Sequence, residues 1–232
     1  IHTTTVADAR LANSTVQRLK DKPTTILLLS IPEDDLRRLL IMDSAFDTSG
    51  NNKSQHGWIV CYTTPQLAQG KTSRVSIVAW KSRRLRRKAG SSLLCESLSG
   101  TAATSAFLWI ATFDMSMRYT GFRHGDSLTG RPKEEPTVLT RQTRLMTDPM
   151  AQVVMDAKSL YDMLISEQQG QDDARAALEV SLMKEDFDSL GAVPRWVPHD
   201  KNRADALTKG DGAHVTPLIE MLSTSTFRIR EE

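Results

Sequence analysis

The chain has 232 residues, 39% hydrophobic and 25% charged, an ordinary make-up for a soluble globular protein with one good core and flanking pieces. Its formal net charge of +2 says little globally, but the basic residues are clumped, so composition permits a nucleic-acid partner without demanding one. No run approaches the roughly 20 apolar residues of a membrane span, and Ile1-His2-Thr3-Thr4-Thr5 has neither the charged nor the apolar region of a signal peptide.

The opening also lacks an initiator Met, which suggests a piece of a longer chain. Residues 6–20 place Val6, Ala9, Val16 and Leu19 among charges, a weakly amphipathic helix that Asp21-Lys22-Pro23 ends. Ile26-Leu27-Leu28-Leu29 predicts a buried strand, followed by Pro32 and an acidic turn. A second apolar strand, Leu39-Leu40-Ile41-Met42, ends in Asp43. After a polar turn over residues 48–55, Gly57-Trp58-Ile59-Val60-Cys61-Tyr62 and the alternating Val75-Ser76-Ile77-Val78-Ala79-Trp80 predict two more strands, giving an antiparallel meander. Trp80 is expected in the core, with stacking on nucleic acid as its other open role. Cys61 and Cys95 sit in apolar contexts without a pairing motif and read as reduced core residues of an intracellular protein.

Lys81-Ser82-Arg83-Arg84-Leu85-Arg86-Arg87-Lys88 packs six cations into eight residues. Such a run is a solvated face, a localisation signal or a grip on phosphates. The small-residue turn Ala89-Gly90-Ser91-Ser92 then starts a helix over about residues 93–115, on which Glu96 is the one acid before Trp109. Residues 119–136 are rich in Gly, Pro and charge and read as an inserted loop. Val153-Val154-Met155 is a short buried strand that delivers Asp156 to a sheet rim, and Leu160, Met163 and Leu164 continue as one helical face. Asp172 or Asp173 caps the next helix, where Ala176, Val180, Met183, Phe187 and Leu190 recur at spacings of four and three until Gly191 stops it. Val193-Pro194-Arg195-Trp196-Val197-Pro198 is a strand whose prolines place it at an edge. A polar loop follows over residues 199–203, Ala204-Asp205-Ala206-Leu207-Thr208-Lys209 opens a helix, and residues 216–222 form a C-terminal one.

Four acids therefore stand at element ends or in an otherwise neutral helix: Asp43, Glu96, Asp156 and Asp205. Singly, Asp43 is open to being a solubilising strand end, Asp156 and Asp205 helix caps, and Glu96 a surface acid. Packed together they would repel and take up protons, so a divalent cation is the natural compensation. A shared two-metal site requires every pair of them within roughly 10 Å. His2, His56, His124 and His214 are scattered without ligand spacing, and no zinc site is indicated.

Five stretches together resemble the ribonuclease H domain of copia-type retrotransposon Pol polyproteins over residues 36–222. Met42-Asp43-Ser44-Ala45-Phe46 is similar to that family's S-D-A-D-W start, and Ser54-Gln55-His56-Gly57-Trp58 to its S-T-S-G-Y strand. Ser91-Ser92-Leu93-Leu94-Cys95-Glu96 resembles S-S-T-E-A-E, with Leu94 in place of the first glutamate and Glu96 keeping the catalytic one. Met155-Asp156-Ala157-Lys158-Ser159 resembles C-D-N-Q-S, and Ala204-Asp205-Ala206-Leu207-Thr208-Lys209 is close to L-A-D-I-L-T-K. Two departures mark a divergent branch. The stretch between Glu96 and Asp156 is long, and Arg175-Ala176-Ala177-Leu178 stands where K-H-I-D often opens a helix.

The resemblance implies an α/β ribonuclease H-like fold, a mixed five-stranded sheet flanked by helices. It implies Mg²⁺-dependent endonucleolytic cleavage of the RNA strand of RNA:DNA hybrids, with two Mg²⁺ ions, or Mn²⁺ as substitute, and no small-molecule cofactor. Asp43 would bridge both ions, Glu96 and Asp156 complete the leaving-group ion, and Asp205 the ion that activates water. Lys81, Arg83, Arg84, Arg86, Arg87 and Lys88 would grip phosphates, and His199 is the candidate for an auxiliary histidine that assists product release in relatives. The implied partners are the hybrid and the reverse transcriptase region of the same polyprotein. Residues 1–30 would be the tail of that region, 31–225 the domain with an insertion at about 117–145, and 226–232 a tail. The setting would be intracellular, in a cytoplasmic virus-like particle or the nucleus. Two alternatives stay open: a degenerate domain that holds hybrid or supports a polymerase without cutting, and an integrase-like nuclease.

Overall fold

The computed structural model describes residues 5–21, 25–47, 54–123, 126, 128, 148–166, 173–209 and 212–230. Helix α1 is Val6–Asp21, and its described side chains are all exposed. Strands β1 (Arg37–Ala45), β2 (Gln55–Thr63) and β3 (Ser73–Arg84) form the expected antiparallel meander. Helix α2 (Ser92–Arg118) leads to β4 (Ala151–Met155), α3 (Lys158–Ile165), α4 (Ala174–Leu190) and β5 (Ala192–Trp196). Helix α5 (Gly212–Thr224) and a two-residue β6 (Thr226–Phe227) close the chain.

The sheet order is β5-β4-β1-β2-β3-β6. β1, β4 and β5 run parallel, and β2, β3 and β6 join by antiparallel ladders. This order and polarity, with helices on both faces, make the fold ribonuclease H-like. The sheet has six strands where five were expected. The sixth is too short to show any periodicity in the sequence, and it attaches at Ser73 and Arg74 of β3.

Strand periodicity sorts the core into two layers. Leu40 and Met42 of β1, Trp58 and Val60 of β2 and Val153 and Met155 of β4 pack with Phe107, Met183 and Phe187 beneath α2 and α4. Leu39, Ile41, Ile59, Cys61 and Val154 face the opposite layer, which holds Val197, Ala204, Met221 and Phe227. Both cysteines are free and buried, Cys61 in the second layer and Cys95 in a smaller cluster with Leu85, Leu94, Leu98 and Ala176.

Local chemistry explains most boundaries. Ser91 caps α2, its hydroxyl accepting the Leu94 N–H at 3.1 Å. Asp173 caps α4 through the N–H groups of Arg175 and Ala176, and Gly191 ends it in the left-handed region at φ 57°. Pro194 sits on β5, the edge strand, where a missing N–H costs nothing.

Three expectations are corrected. Ile26-Leu27-Leu28-Leu29 is no strand: Leu27 and Leu28 are exposed, and the Leu29 N–H donates to Ser76 Oγ at 3.1 Å without a ladder. An apolar run reads alike whether it enters a sheet or lies on one. Residues 203–207 form a 3-10 turn rather than a helix opening, with Asn202 Oδ1 accepting the Ala204 N–H. Finally, α2 is long and apolar enough to span a bilayer by length and composition, although half of that stretch is buried against the sheet and α4. Its apolarity is diluted by Ser and Thr, which hid its length as a continuous run. Most of the proposed insertion at 117–145 lies outside the described residues.

Candidate active site

Asp43 occupies the seventh position of β1, on the face of Leu39 and Ile41, and is buried. Asp156 follows the last residue of β4 on the face of Val154. The register pairs Ile41 with Val154, so two further residues bring both acids to one sheet edge. Asp205, 1% exposed, comes to them on the 3-10 turn at Arg203–Leu207. One carboxylate oxygen from each of Asp43, Asp156 and Asp205 lies within 4.8 Å of the others.

The turn that carries Asp205 is held from several sides. Asn202 Nδ2 donates to the Met42 carbonyl and to Asp156 Oδ1, each at 3.0 Å. Thr208 Oγ1 donates to Asp43 Oδ2. Gly57, paired with Asp43 across the β1–β2 ladder, lets the turn approach: a Cβ there would lie 2.5 Å from Leu207 Cβ and 3.2 Å from Thr208 Cγ2. Trp196 Nε1 donates to the Asp156 carbonyl at 3.0 Å, and Ser99 Oγ to the Asp43 carbonyl at 3.1 Å, tying β5 and α2 to the same edge.

Glu96, partly buried near the start of α2, stands outside the 4.8 Å trio but within its field. Burial, then the Asp43 and Asp156 charges, push its carboxyl up to about 8, against a hydrogen bond with Ser44. Burial and the Asp156 carboxylate likewise raise Asp43, with Thr208 opposing. Neither Asp205 oxygen accepts a hydrogen bond of regular geometry among the described residues. Buried oxygen donors that repel one another, one without regular hydrogen bonds, fit a hard divalent cation such as Mg²⁺ or Mn²⁺.

A lysine and two histidines gather on the solvent side. Lys209 Nζ lies 3.0 Å from Asp205 Oδ2, His214 Nδ1 3.1 Å and His199 Nε2 3.2 Å from the same oxygen. His199 Nδ1 meets Asp156 Oδ2 at 2.6 Å, so this histidine spans two of the acids. The expectation that the histidines are scattered fails for His214. It reaches Asp205 from the first turn of α5, a juxtaposition across a turn that no fixed ligand spacing announces.

The basic run reaches the same end of the sheet, although the alternation turns Lys81 and Arg83 toward the α2 layer, on the face opposite Asp43. Asp43 pairs with Gly57, and Gly57 with Ser82, which Lys81 and Arg83 flank. Two strand spacings, about 10 Å, separate these cations from Asp43. Lys81, Arg84, Arg86 and Lys88 are exposed and Arg83 partly so; together with Leu98, Thr101 and Glu179 several of them border a cleft of about 280 Å³ between β3 and α2. Arg87, at the same cleft, forms an ion pair with the buried Glu179 of α4. Trp80 is 58% exposed rather than in the core, since β3 lies near the sheet margin and strand alternation alone does not tell a covered face from an open one.

No family model and no curated protein matches the chain. Among solved structures it is similar to RNase H1 from the halophilic archaeon Halobacterium salinarum, at 17% identity and a TM-score of 0.44 over 74% of this chain and 93% of that one. It is also similar to an N-terminal RNase H domain from Mycobacterium tuberculosis, at 11% identity and a TM-score of 0.44 over 82% and 98%. A third similarity is to the RNase H domain of PFV, at 8% identity and a TM-score of 0.35 over 75% and 89%.

Proposed function

We propose that the chain is a metal-dependent ribonuclease H that cleaves the RNA strand of RNA:DNA hybrids, working in a copia-type retrotransposon Pol polyprotein during reverse transcription. The observation that carries this reading is the meeting of Asp43, Asp156 and Asp205 within 4.8 Å from three distant segments. Glu96 is the fourth acid within their field. When bound to this set, Mg²⁺ or Mn²⁺ would supply Lewis-acid stabilisation of the phosphodiester and activation of water.

The chain's own groups divide the remaining work. Asn202 and Thr208 hold Asp156 and Asp43 in place. His199, half exposed and in contact with Asp156 and Asp205, would handle the product end. Lys81, Arg83, Arg84, Arg86 and Lys88 supply phosphate contacts about two strands away, and Arg87 serves the fold. The reading includes a reverse transcriptase region as covalent partner and an intracellular setting, cytoplasmic or nuclear.

Incubation of a labelled RNA:DNA hybrid with the purified chain and Mg²⁺, with Asp156→Asn alongside, tests this. Cleavage of the RNA strand by the wild type alone supports it. Intact RNA in both reactions, with hybrid retained on the protein, replaces it with the non-cutting domain.

A further inference from the structure

We propose that His199, Asp205 and His214 form a second cation site, suited to a borderline transition metal of the zinc class, beside the carboxylate site. Its three donors come from separate short elements: the 3-10 turn at His199–Lys201, the one at Arg203–Leu207, and the first turn of α5. One ligand atom from each lies within 4.8 Å of the others. Asp205 Oδ2 is 3.2 Å from His199 Nε2 and 3.1 Å from His214 Nδ1. Tetrahedral coordination with bonds of about 2.0–2.1 Å sets ligand atoms about 3.3 Å apart, so little adjustment is needed.

The donor chemistry differs from that of the acid trio. Two imidazoles and one carboxylate suit zinc, cobalt or nickel, whereas Mg²⁺ prefers oxygen alone. His199 already has the arrangement of a zinc-binding histidine. Its Nδ1 is 2.6 Å from Asp156 Oδ2, a contact that places the proton on Nδ1 and turns the Nε2 lone pair toward the site.

Two linked observations at Asp205 point to a cation there. Asp205 is 1% exposed, and neither of its oxygens accepts a hydrogen bond of regular geometry among the described residues. The Lys209 ammonium lies between the donors, 2.8 Å from His199 Nε2 and 3.0 Å from Asp205 Oδ2, where it stands in for the ion. A metal must displace it. The partly exposed rings of His199 and His214 leave an entry path from solvent. Because Asp205 belongs to both sites, a zinc-class ion here competes for a ligand of the acid trio.

Titration of the full chain with Co²⁺ in excess Mg²⁺ reads this site without any nuclease assay, so its failure and that of the nuclease reading are separate outcomes. The expected result is one equivalent of Co²⁺ with the strong visible bands of a four-coordinate, nitrogen-containing centre, displaced by Zn²⁺. His199→Ala and His214→Ala each weaken binding at least about tenfold, with circular dichroism reporting that the fold persists. Lys209→Met tightens binding, a gain that misfolding cannot mimic. No saturable binding, the pale spectrum of an all-oxygen site, or affinities unmoved by the histidine and lysine changes overturns the proposal.

Discussion

Asp43 and Asp156 stand level on neighbouring parallel strands, each two residues beyond the registered pair Ile41 and Val154. Their carboxylates face one way because each continues the alternation of an apolar strand. Asp205 arrives separately, on a turn clamped by Asn202 and Thr208. Replacing any of the three by Asn leaves shape and packing intact while removing a charge. Each such variant is expected to lose hybrid cleavage by at least two orders of magnitude, the scale of several kcal/mol of charge stabilisation. Initial rates on a labelled hybrid check this.

The acid cluster should make the metal-free protein less stable as pH rises. Burial and the Asp43 and Asp156 charges hold Glu96 near 8, above its value in the unfolded chain, so the folded state binds the extra proton. Stability from that proton is fully present below the ordinary carboxylate range and is lost as pH rises toward about 8. The loss amounts to at most about 1.4 kcal/mol per pH unit for one carboxyl. Urea unfolding at pH 5 and pH 8 without divalent ions should show the fall, Glu96→Gln should flatten it, and Mg²⁺ should restore stability at pH 8.

Gly57 should tolerate no side chain. A methyl group at that position would press on Leu207 and Thr208, 2.5 and 3.2 Å away, and push back the turn that holds Asp205. Gly57→Ala is expected to cost about 1–3 kcal/mol by overpacking and to reduce cleavage more than hybrid binding. Denaturant midpoints measured beside both activities separate the two effects.

At the other end of β1, a buried ion network sustains the fold. Arg38 donates to Asp114 at 2.8 Å and to the Leu128 carbonyl at 2.9 Å, while Arg118 and the Tyr62 hydroxyl also donate to Asp114. Burial pushes the Asp114 carboxyl up, but the two guanidiniums outweigh it and hold it below its ordinary value. Asp114→Ala strands Arg38 in the core and is expected to cost about 3–5 kcal/mol. Equilibrium unfolding of that variant against wild type measures it.

The six cations of the basic run should separate into two classes. Arg84→Ala is expected to weaken hybrid binding and reduce the salt slope by about one. Arg87→Ala leaves Glu179 buried without its ion-pair partner, so its main effect should be on stability. Binding isotherms at several salt concentrations, paired with melting curves, tell the classes apart.

The sequence by itself determined most of the elements and the buried faces of β1, β4 and the long helices. Apolar runs ending in Asp43 and Asp156, the Ser91 and Asp173 caps, the Gly191 stop and the edge proline Pro194 are all local signals, and local propensity and tertiary packing agree at each. The tertiary structure alone decided what lies across space. It brought His214 to Asp205, paired Arg87 with Glu179, left Trp80 in solvent and added β6 to the sheet margin. The physical reason is range: periodicity and caps act over a few residues, whereas these pairings depend on turns and strand registers that join segments far apart in the chain.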